Sequence, residues 1–464
     1  MADVQDFHHA LKFKSDLCIG CAHCTGVCPT GAIHVEDGHP QLDPNRCVDC
    51  GRCYQSCPVN AIYIEQDDFQ TVYDCKYPVL LLPSIFIAQF EEKIKEKTIL
   101  SALYHIGFKH VFEVEKSVDF IKEEMLKTVH ENNGYKPIIS TFCPAIVRLI
   151  QVKFPVLVPN LYLSKPPLDL TALYIRKLLT EEDGIPAEDI GIFYVTPCAA
   201  KIAAIKSPAT DEKSPVSEVI NMNFLYSKVM RVIKQGEYQL CEDSRTRYHR
   251  LSKASVNYTL TGGEIGLLKE GRNLAIDGIH NVSEFLEKLE DEDIQDIDFL
   301  ELRACDESCA GGILCANNRF LMAERQRKRM QKSPDEVDAE DNDLLNYTDY
   351  LAQHKRVLGK VEPRSMDKMD DNLTVAMQKM RKAFEINQNL PQVDCRICGY
   401  QSCKALSEAV VNGKAEVEQC IFVQRALEHS EKLTLLDTQR INIKIWGSKK
   451  KRSLHRQKPE PIKS

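Results

Sequence analysis

The chain has no apolar run of about 18 residues or more, so a membrane-spanning helix is not expected. Its longest apolar stretch, residues 77–90, is broken by Pro83 and reads as a buried strand and turn. Basic charge is not in excess. The formal net charge is −7, which gives no footing for nucleic acid as a partner. His8, His9, Lys12 and Lys14 stand near the N-terminus without an apolar segment before a cleavage site. A secretory leader is therefore not expected, and a cytoplasmic location is.

What remains is an ordinary soluble composition of 464 residues, 43% hydrophobic and 27% charged, with length enough for about three domains. The 19 cysteines are the exception. In a long chain with no leader they argue against a disulfide scaffold, and their clustered spacing points to metal. All but Cys75, Cys241 and Cys315 fall into sets of four, and those three read as small buried hydrophobes.

Two sets lie in tandem. Cys18-x2-Cys21-x2-Cys24-x3-Cys28-Pro29 is repeated as Cys47-x2-Cys50-x2-Cys53-x3-Cys57-Pro58. This is the spacing of bacterial two-cluster ferredoxins, in which the fourth cysteine of each run ligates the other cluster. Cys18, Cys21, Cys24 and Cys57 are thus assigned to one 4Fe–4S cluster, and Cys47, Cys50, Cys53 and Cys28 to the other. Zinc also binds paired C-x2-C, but two complete runs each ending in Cys-Pro favour clusters. The repeat extends to the apolar segments 31–35 and 60–64, each expected as a short strand. His23, between two ligands, reads as a surface loop residue.

From residue 76 to 330 strands and helices alternate. Strands are expected at 78–82, 111–113, 137–141, 190–196 and 299–303, and helices at 90–106, 118–129 and 168–179. Three of the strands run into Cys143, Cys198 and Cys305, with Cys309 four residues further on. Open α/β sheets place their sites at the C-terminal ends of strands, so one sheet edge carrying a four-cysteine site is expected.

These ligands lie in Thr141-Phe142-Cys143-Pro144, Pro197-Cys198-Ala199-Ala200-Lys201 and Cys305-x3-Cys309-x-Gly311-Gly312. Together with residues 102–113, the Phe154-Pro155 pair and the Thr261-Gly262-Gly263 turn, they resemble, in order, the large subunit of FeFe-hydrogenases. The resemblance covers roughly residues 1–330. It implies an α/β hydrogenase-like domain behind a ferredoxin-like α+β module. It also implies a 4Fe–4S cube held by Cys143, Cys198, Cys305 and Cys309, with Cys309 bridging to a two-iron unit that carries CO, cyanide and a dithiolate. Lys201 would donate to an iron-bound cyanide, where a cationic donor suits an anionic ligand. The implied reaction is 2H⁺ + 2e⁻ ⇌ H₂. Its implied partners are a redox carrier such as ferredoxin and the hydrogenase maturation proteins, in an anaerobic setting.

The chain departs from the family at telling places. Phe142 stands where a second cysteine hands protons to the two-iron site, and a phenyl ring exchanges none. Thr196 and Arg303 stand where methionine is usual, Ala204 replaces a glutamate, and Asp306-Glu307-Ser308 replaces a small Pro/Gly-rich turn. Asp306, Glu307 and Glu124 are candidate substitute proton carriers. These departures resemble divergent members of the family proposed to be sensors. No PAS-like or kinase-like stretch follows residue 430, so a signal would need a separate signalling partner.

Residues 331–366 include the acidic stretch 331–345 and read as a linker. Helical spacing returns at 367–390. Cys395-x2-Cys398-x4-Cys403-x16-Cys420 then resembles a small, mostly helical Fe–S domain of anaerobic redox proteins. That likeness implies a further 4Fe–4S cluster, with zinc the alternative thiolate-bound metal. One helix is expected from Cys420 to about Asn442, before a basic tail that reads as solvated. Five segments result: 1–75, 76–330, 331–366, 367–425 and 426–464. The expected function is slow or hydrogen-sensing hydrogenase chemistry. The alternative is a non-catalytic electron-transfer or redox-sensing protein that keeps the cube and lacks the two-iron unit, as assembly proteins of the superfamily do.

Overall fold

The apolar segments that follow each Cys-Pro become strands, because each alternates an inward isoleucine or valine with an outward residue. Strand β1 (Leu11–Phe13) is antiparallel to the later strand of residues 62–64, and β2 (Ile33–Glu36) forms a hairpin with β3 (His39–Leu42); the strand Ile62–Ile64 is β4. The computed structural model describes residues 8–448, apart from 132–133, 209–212, 242–250, 269, 292, 339–341, 357–360, 364–368 and 371. The basic tail from Lys449 lies outside the described residues.

The chain divides into two units. One gathers Leu11–Cys47, Gly51–Ile64 and the chain from 364 onward, so the ferredoxin-like strands and the C-terminal helices share it. Within it Val35 N–H donates to Gly399 O (2.9 Å), and Gln401 Nε2 donates to Cys28 O (2.6 Å). His34 stacks on Tyr400 with ring centroids 5.4 Å apart. The β2–β3 turn donates Asp37 N–H and Gly38 N–H to Lys444 O and Ile445 O, satisfying carbonyls at the end of helix Leu435–Trp446. The single helix expected after Cys420 is two helices, Ile421–His429 and Leu435–Trp446. The break follows from Thr434 and Asp437, which form a capping box and start a new helix.

The other unit holds two parallel sheets. Strands β5 (Tyr77–Leu82), β6 (His110–Glu113), β8 (Ile190–Thr196) and β9 (Glu218–Asn221) pair in the order β6-β5-β8-β9; β7 (Ile138–Ile139), β10 (Asn273–Asp277) and β11 (Phe299–Arg303) pair as β10-β11-β7. The central strands β5 and β8 are nearly continuous apolar runs, as strands buried on both faces must be, while β11 is fully buried although Glu301 and Arg303 interrupt its apolar residues. The expectation of one sheet edge is corrected: β8 lies in one sheet, and β7 and β11 in the other. The expected helix at 90–106 starts at Glu96, after the 3₁₀ turn Ser84–Gln89 and a charged turn.

The expected linker carries structure. Helix Thr348–His354 forms there, and Leu344 and Leu351 are fully buried. Asn342 Nδ2 donates to Lys116 O (3.0 Å), and Lys165 N–H to Lys355 O (2.8 Å). The few apolar residues of an acidic stretch face inward, and composition alone hides that.

Candidate four-cysteine site

Three parallel strands end at cysteines, and helices start from two of them. Cys143 is the N-cap of helix Pro144–Lys153, with Pro144 at its first position, where a missing N–H and a fixed φ favour a helix start. Cys198 is the N-cap of Ala199–Lys206. Each thiol thereby sits at the positive end of a helix dipole, which favours an anionic sulfur. Thr196, at the end of β8, braces its motif: its hydroxyl donates to Cys198 O (2.9 Å) and accepts from Cys198 N–H (3.3 Å).

The third motif folds back onto the second. A Cβ on Gly311 would lie 1.9 Å from Asp306 O, and one on Gly312 would lie 2.6 Å from Pro197 O. Only glycines permit that approach. Leu314 N–H donates to Pro197 O (2.9 Å), which completes the junction. Glu307 and Ser308 have φ of +61° and +52°, so the turn that replaces a Pro/Gly-rich one is held by two side-chain-bearing residues in left-handed geometry.

The thiols of Cys143, Cys198, Cys305 and Cys309 lie close enough to act on one another electrostatically. Burial pushes Cys198 up to about 12, against the pull of Lys201 and helped by Cys143 and Cys309. Burial likewise raises Cys143 and Cys305, with neighbouring thiols adding to it. Such a group can ionise together only around a multivalent cation, which is what an iron–sulfur cube supplies. Sequence reasoning missed a fifth thiol. Cys315, read as a filler, is half-buried beside Cys309 and Cys198, with Sγ 3.4 Å from Cys309 O and 3.8 Å from Met222 Sδ. No spacing signal marks it, because the fold and not the motif brings it there.

Lys201 is half-buried near these thiols. Burial would lower its pKa, but Tyr194, Cys309, Cys198 and Glu115 outweigh that and keep it an ammonium. Its Nζ lies 4.5 Å from the Phe142 ring centroid. It lines a cavity of about 170 Å³ with Thr141, Phe142, Pro144 and Ala204. A partly desolvated ammonium facing a largely apolar cavity fits an anionic ligand there.

The proton carriers expected from sequence are held in ion pairs. Asp306 pairs with Arg319 (2.6 Å), Glu307 with Arg327 (2.8 Å), and Glu124 with Lys127 and Lys355. These are ion pairs at or near the surface. Glu115 is the buried acid: burial, and next the Glu113 charge, push it up to about 7, while Ser84 N–H (2.8 Å) and Lys201 oppose. Its segment offered no sequence signal, since an acid after a strand usually faces solvent.

In the other unit Cys18, Cys21, Cys24 and Cys57 come together, and burial raises Cys24 to about 11 with Cys18 and Cys21 adding to it. The repeat shows in the bonds as well. Ala32 N–H donates to Cys28 Sγ and Ala61 N–H to Cys57 Sγ, both at 3.2 Å. Cys28, Cys47 and Cys53 are buried; Cys50, which belongs with Val48 to the α/β unit, is half-buried. His23 is exposed. Cys395, Cys398, Cys403 and Cys420 also group, with burial raising Cys398 to about 11. Cys403 opens helix Cys403–Val411, Cys420 caps Ile421–His429, and Asp394 accepts from Cys403 N–H (2.7 Å).

Three family models match parts of the chain. The family model of the iron-only hydrogenase large subunit, C-terminal domain, matches residues 78–269; a 4Fe–4S dicluster domain matches 17–61, and an Fe–S cluster model matches 390–422. Iron hydrogenase 1 of Clostridium pasteurianum is 23% identical over 232 residues, which cover 48% of this chain and 38% of that protein's own length. A variant of FeFe-hydrogenase HydA1 from Chlamydomonas reinhardtii aligns at 15% identity with a TM-score of 0.48, over 63% of this chain and 95% of its own. A second HydA1 variant from the same organism aligns at 15% identity and 0.48, over 65% and 97%. The family models define an iron–sulfur protein, in whose α/β unit four cysteines meet. The chain is FeFe-hydrogenase-like, with a two-cluster ferredoxin domain and a further Fe–S domain. Among the described residues, no helix is long and apolar enough to cross a membrane.

Proposed function

We propose that the protein is an iron–sulfur oxidoreductase that interconverts protons, electrons and H₂ slowly, or binds H₂ as a sensor. The carrying observation is Lys201, a half-buried ammonium lining a cavity beside four grouped thiols. Cys143, Cys198, Cys305 and Cys309 would hold the cube, and the cavity by Lys201 and Phe142 would house the two-iron unit. When bound, that unit supplies the metal at which hydrogen is split or formed.

The chain's own residues do the rest. Lys201 holds the anionic ligand in place. Phe142, 7% exposed, shields the cavity and carries no proton. Glu115 holds a proton near neutral pH and lies within electrostatic reach of Lys201. Glu113, bonded to Arg329 at 2.7 and 2.8 Å, and Glu96, bonded to the same arginine at 2.6 Å, extend charged groups from there toward solvent. With no thiol at position 142 the last proton transfer loses its positioned donor, which is worth roughly 10²–10⁴-fold in rate. Electrons would arrive from a ferredoxin-type carrier. Gln401 bonded to Cys28 supports exchange between the C-terminal and ferredoxin-like clusters within their unit.

Phe142, Thr196 and Ala204 favour a second reading, in which the cube alone is present and the protein transfers or senses electrons. HD formation from D₂, followed by mass spectrometry on protein matured with its accessory enzymes, separates the two. Slow HD release above a Cys305→Ser background is expected. No release above that background favours the second reading.

A further inference from the structure

Arg303 is the largest fully buried side chain among the described residues, at 2% exposed, and it ends a central strand two residues before Cys305. Its position is fixed from several sides. Nη2 pairs with Glu264 (3.0 Å) and donates to Tyr258 O (3.3 Å), and Nε pairs with Glu301 (3.1 Å). Both carboxyl groups are themselves held. Glu301 accepts from the N–H groups of Gly262 (3.0 Å), Glu264 (2.8 Å) and Ile265 (3.1 Å). Glu264 accepts from Ser140 (2.6 Å) and Tyr258 (3.1 Å). The guanidinium plane lies over Phe142, its Cζ 3.9 Å from the ring centroid. The ring is thus in cation–π reach of both Arg303 and Lys201.

One donor is left over. Arg303 Nη1 is buried with no hydrogen-bond partner among the described residues. Two N–H groups unsatisfied in a closed interior are costly unless something accepts from them. The guanidinium acts electrostatically on the thiols of Cys143 and Cys309. It therefore meets the four-cysteine site from the side of β11, as Lys201 meets it from the helix after Cys198.

We propose that Arg303 is a charge-setting and positioning residue of this centre: its spare N–H groups would donate to inorganic sulfide of the cube that Cys143 and Cys309 hold. The inference rests on the reading of the four cysteines as cluster ligands. A reduced cube is more negative than an oxidised one. A fixed cation beside it, in a medium that screens little, favours the reduced form and raises the potential. Hydrogen bonds to cluster sulfur act in the same direction. The guanidinium cannot swing away, because Glu301 of the strand, Glu264 of the Thr261–Ile265 turn and Tyr258 O hold it.

The test uses the full chain reconstituted with iron and sulfide only, so that it does not depend on hydrogen turnover. The central cube is assigned as the EPR signal that Cys143→Ser removes, and its midpoint potential is measured by redox titration. Arg303→Met should keep the signal and shift it to lower potential, while Arg303→Lys should shift it less. An intact cube with unmoved potential in Arg303→Met overturns the proposal. Removing Arg303 could instead prevent folding, so a second measurement uses no variant. In wild-type protein labelled with ¹⁵N-arginine, pulsed EPR of the reduced central cube should show a ¹⁵N coupling, and its absence overturns the proposal equally. Absence of the cube from the wild type overturns the cluster reading itself and this inference with it.

Discussion

The four-cysteine centre of the α/β unit and the four-cysteine loop of the C-terminal region gather the same ligands by different routes. The first draws Cys143, Cys198, Cys305 and Cys309 from the ends of strands in two sheets. The second draws Cys395, Cys398, Cys403 and Cys420 from one short segment and two helix starts, with Cys395 exposed. The first is closed by Gly311 and Gly312 packing onto neighbouring backbone, and surrounded by Lys201, Arg303 and Phe142. The second depends on local turns, where Asp394, Arg396 and Gly399 have φ of +43°, +62° and +87°. A centre assembled by the whole fold can tune a cofactor with buried charges. A centre assembled by one loop can only hold it and pass electrons.

The sharpest break of this contrast is ligand removal. Cys305→Ser should abolish the central cube and all hydrogen chemistry while the C-terminal cluster survives; Cys403→Ser should do the reverse. EPR and iron content per chain would show it, and loss of both clusters from either change would erase the distinction. Next in size is Phe142→Cys. In matured protein it should raise hydrogen turnover by on the order of 10²-fold, because a positioned proton donor returns. It should also cost about 2–4 kcal/mol of stability, since a buried ring facing two cations is lost. Turnover assays and thermal unfolding would report both, and an unchanged rate would place the limit beyond position 142.

A third effect is pH-dependent. The folded pKa of Glu115, about 7, lies above its ordinary 4.5. Between those values the folded state binds more protons than the unfolded state, so stability falls as pH rises through about 7. Glu115→Gln should behave like wild type near pH 5 and be more stable at pH 8, by on the order of 2–3 kcal/mol. Anaerobic melting curves at the two pH values would test this, and a gap of equal size at both would contradict it. The smallest effect belongs to the loop centre. A Cβ on Gly399 would meet Val35 O at 2.7 Å with φ at +87°. Gly399→Ala should cost about 1–2 kcal/mol and loosen the C-terminal cluster without touching the central one. Melting and the EPR line shape of the C-terminal cluster would show it, and a broadened central signal would count against separate assembly.

The sequence carried the loop centres and ferredoxin-like sets because their ligands are close in the chain and their spacing is itself the geometry. Strands β8 and β11 were legible to the residue, β8 as a nearly continuous apolar run and β11 as a short alternating one leading into Cys305. Their division between two sheets was not, because pairing partners lie far apart in the chain. Cys315 and Glu115 were missed for a related reason: each matters only through neighbours that folding supplies. Asp306, Glu307 and Glu124 were chosen by chemical type, and the fold gives each a cationic partner instead. Arg303 was visible as an oddity at a methionine position, but its ion pairs to Glu264 and Glu301 needed the turn at Thr261–Ile265 to be in place.

The most direct test of the central claim is infrared spectroscopy of the full chain after anaerobic maturation with hydrogenase accessory proteins. Bands of iron-bound CO and cyanide should appear, and Lys201→Ala should remove them while leaving the cube's EPR signal. A wild-type protein with its cube intact and no such bands would contradict the account.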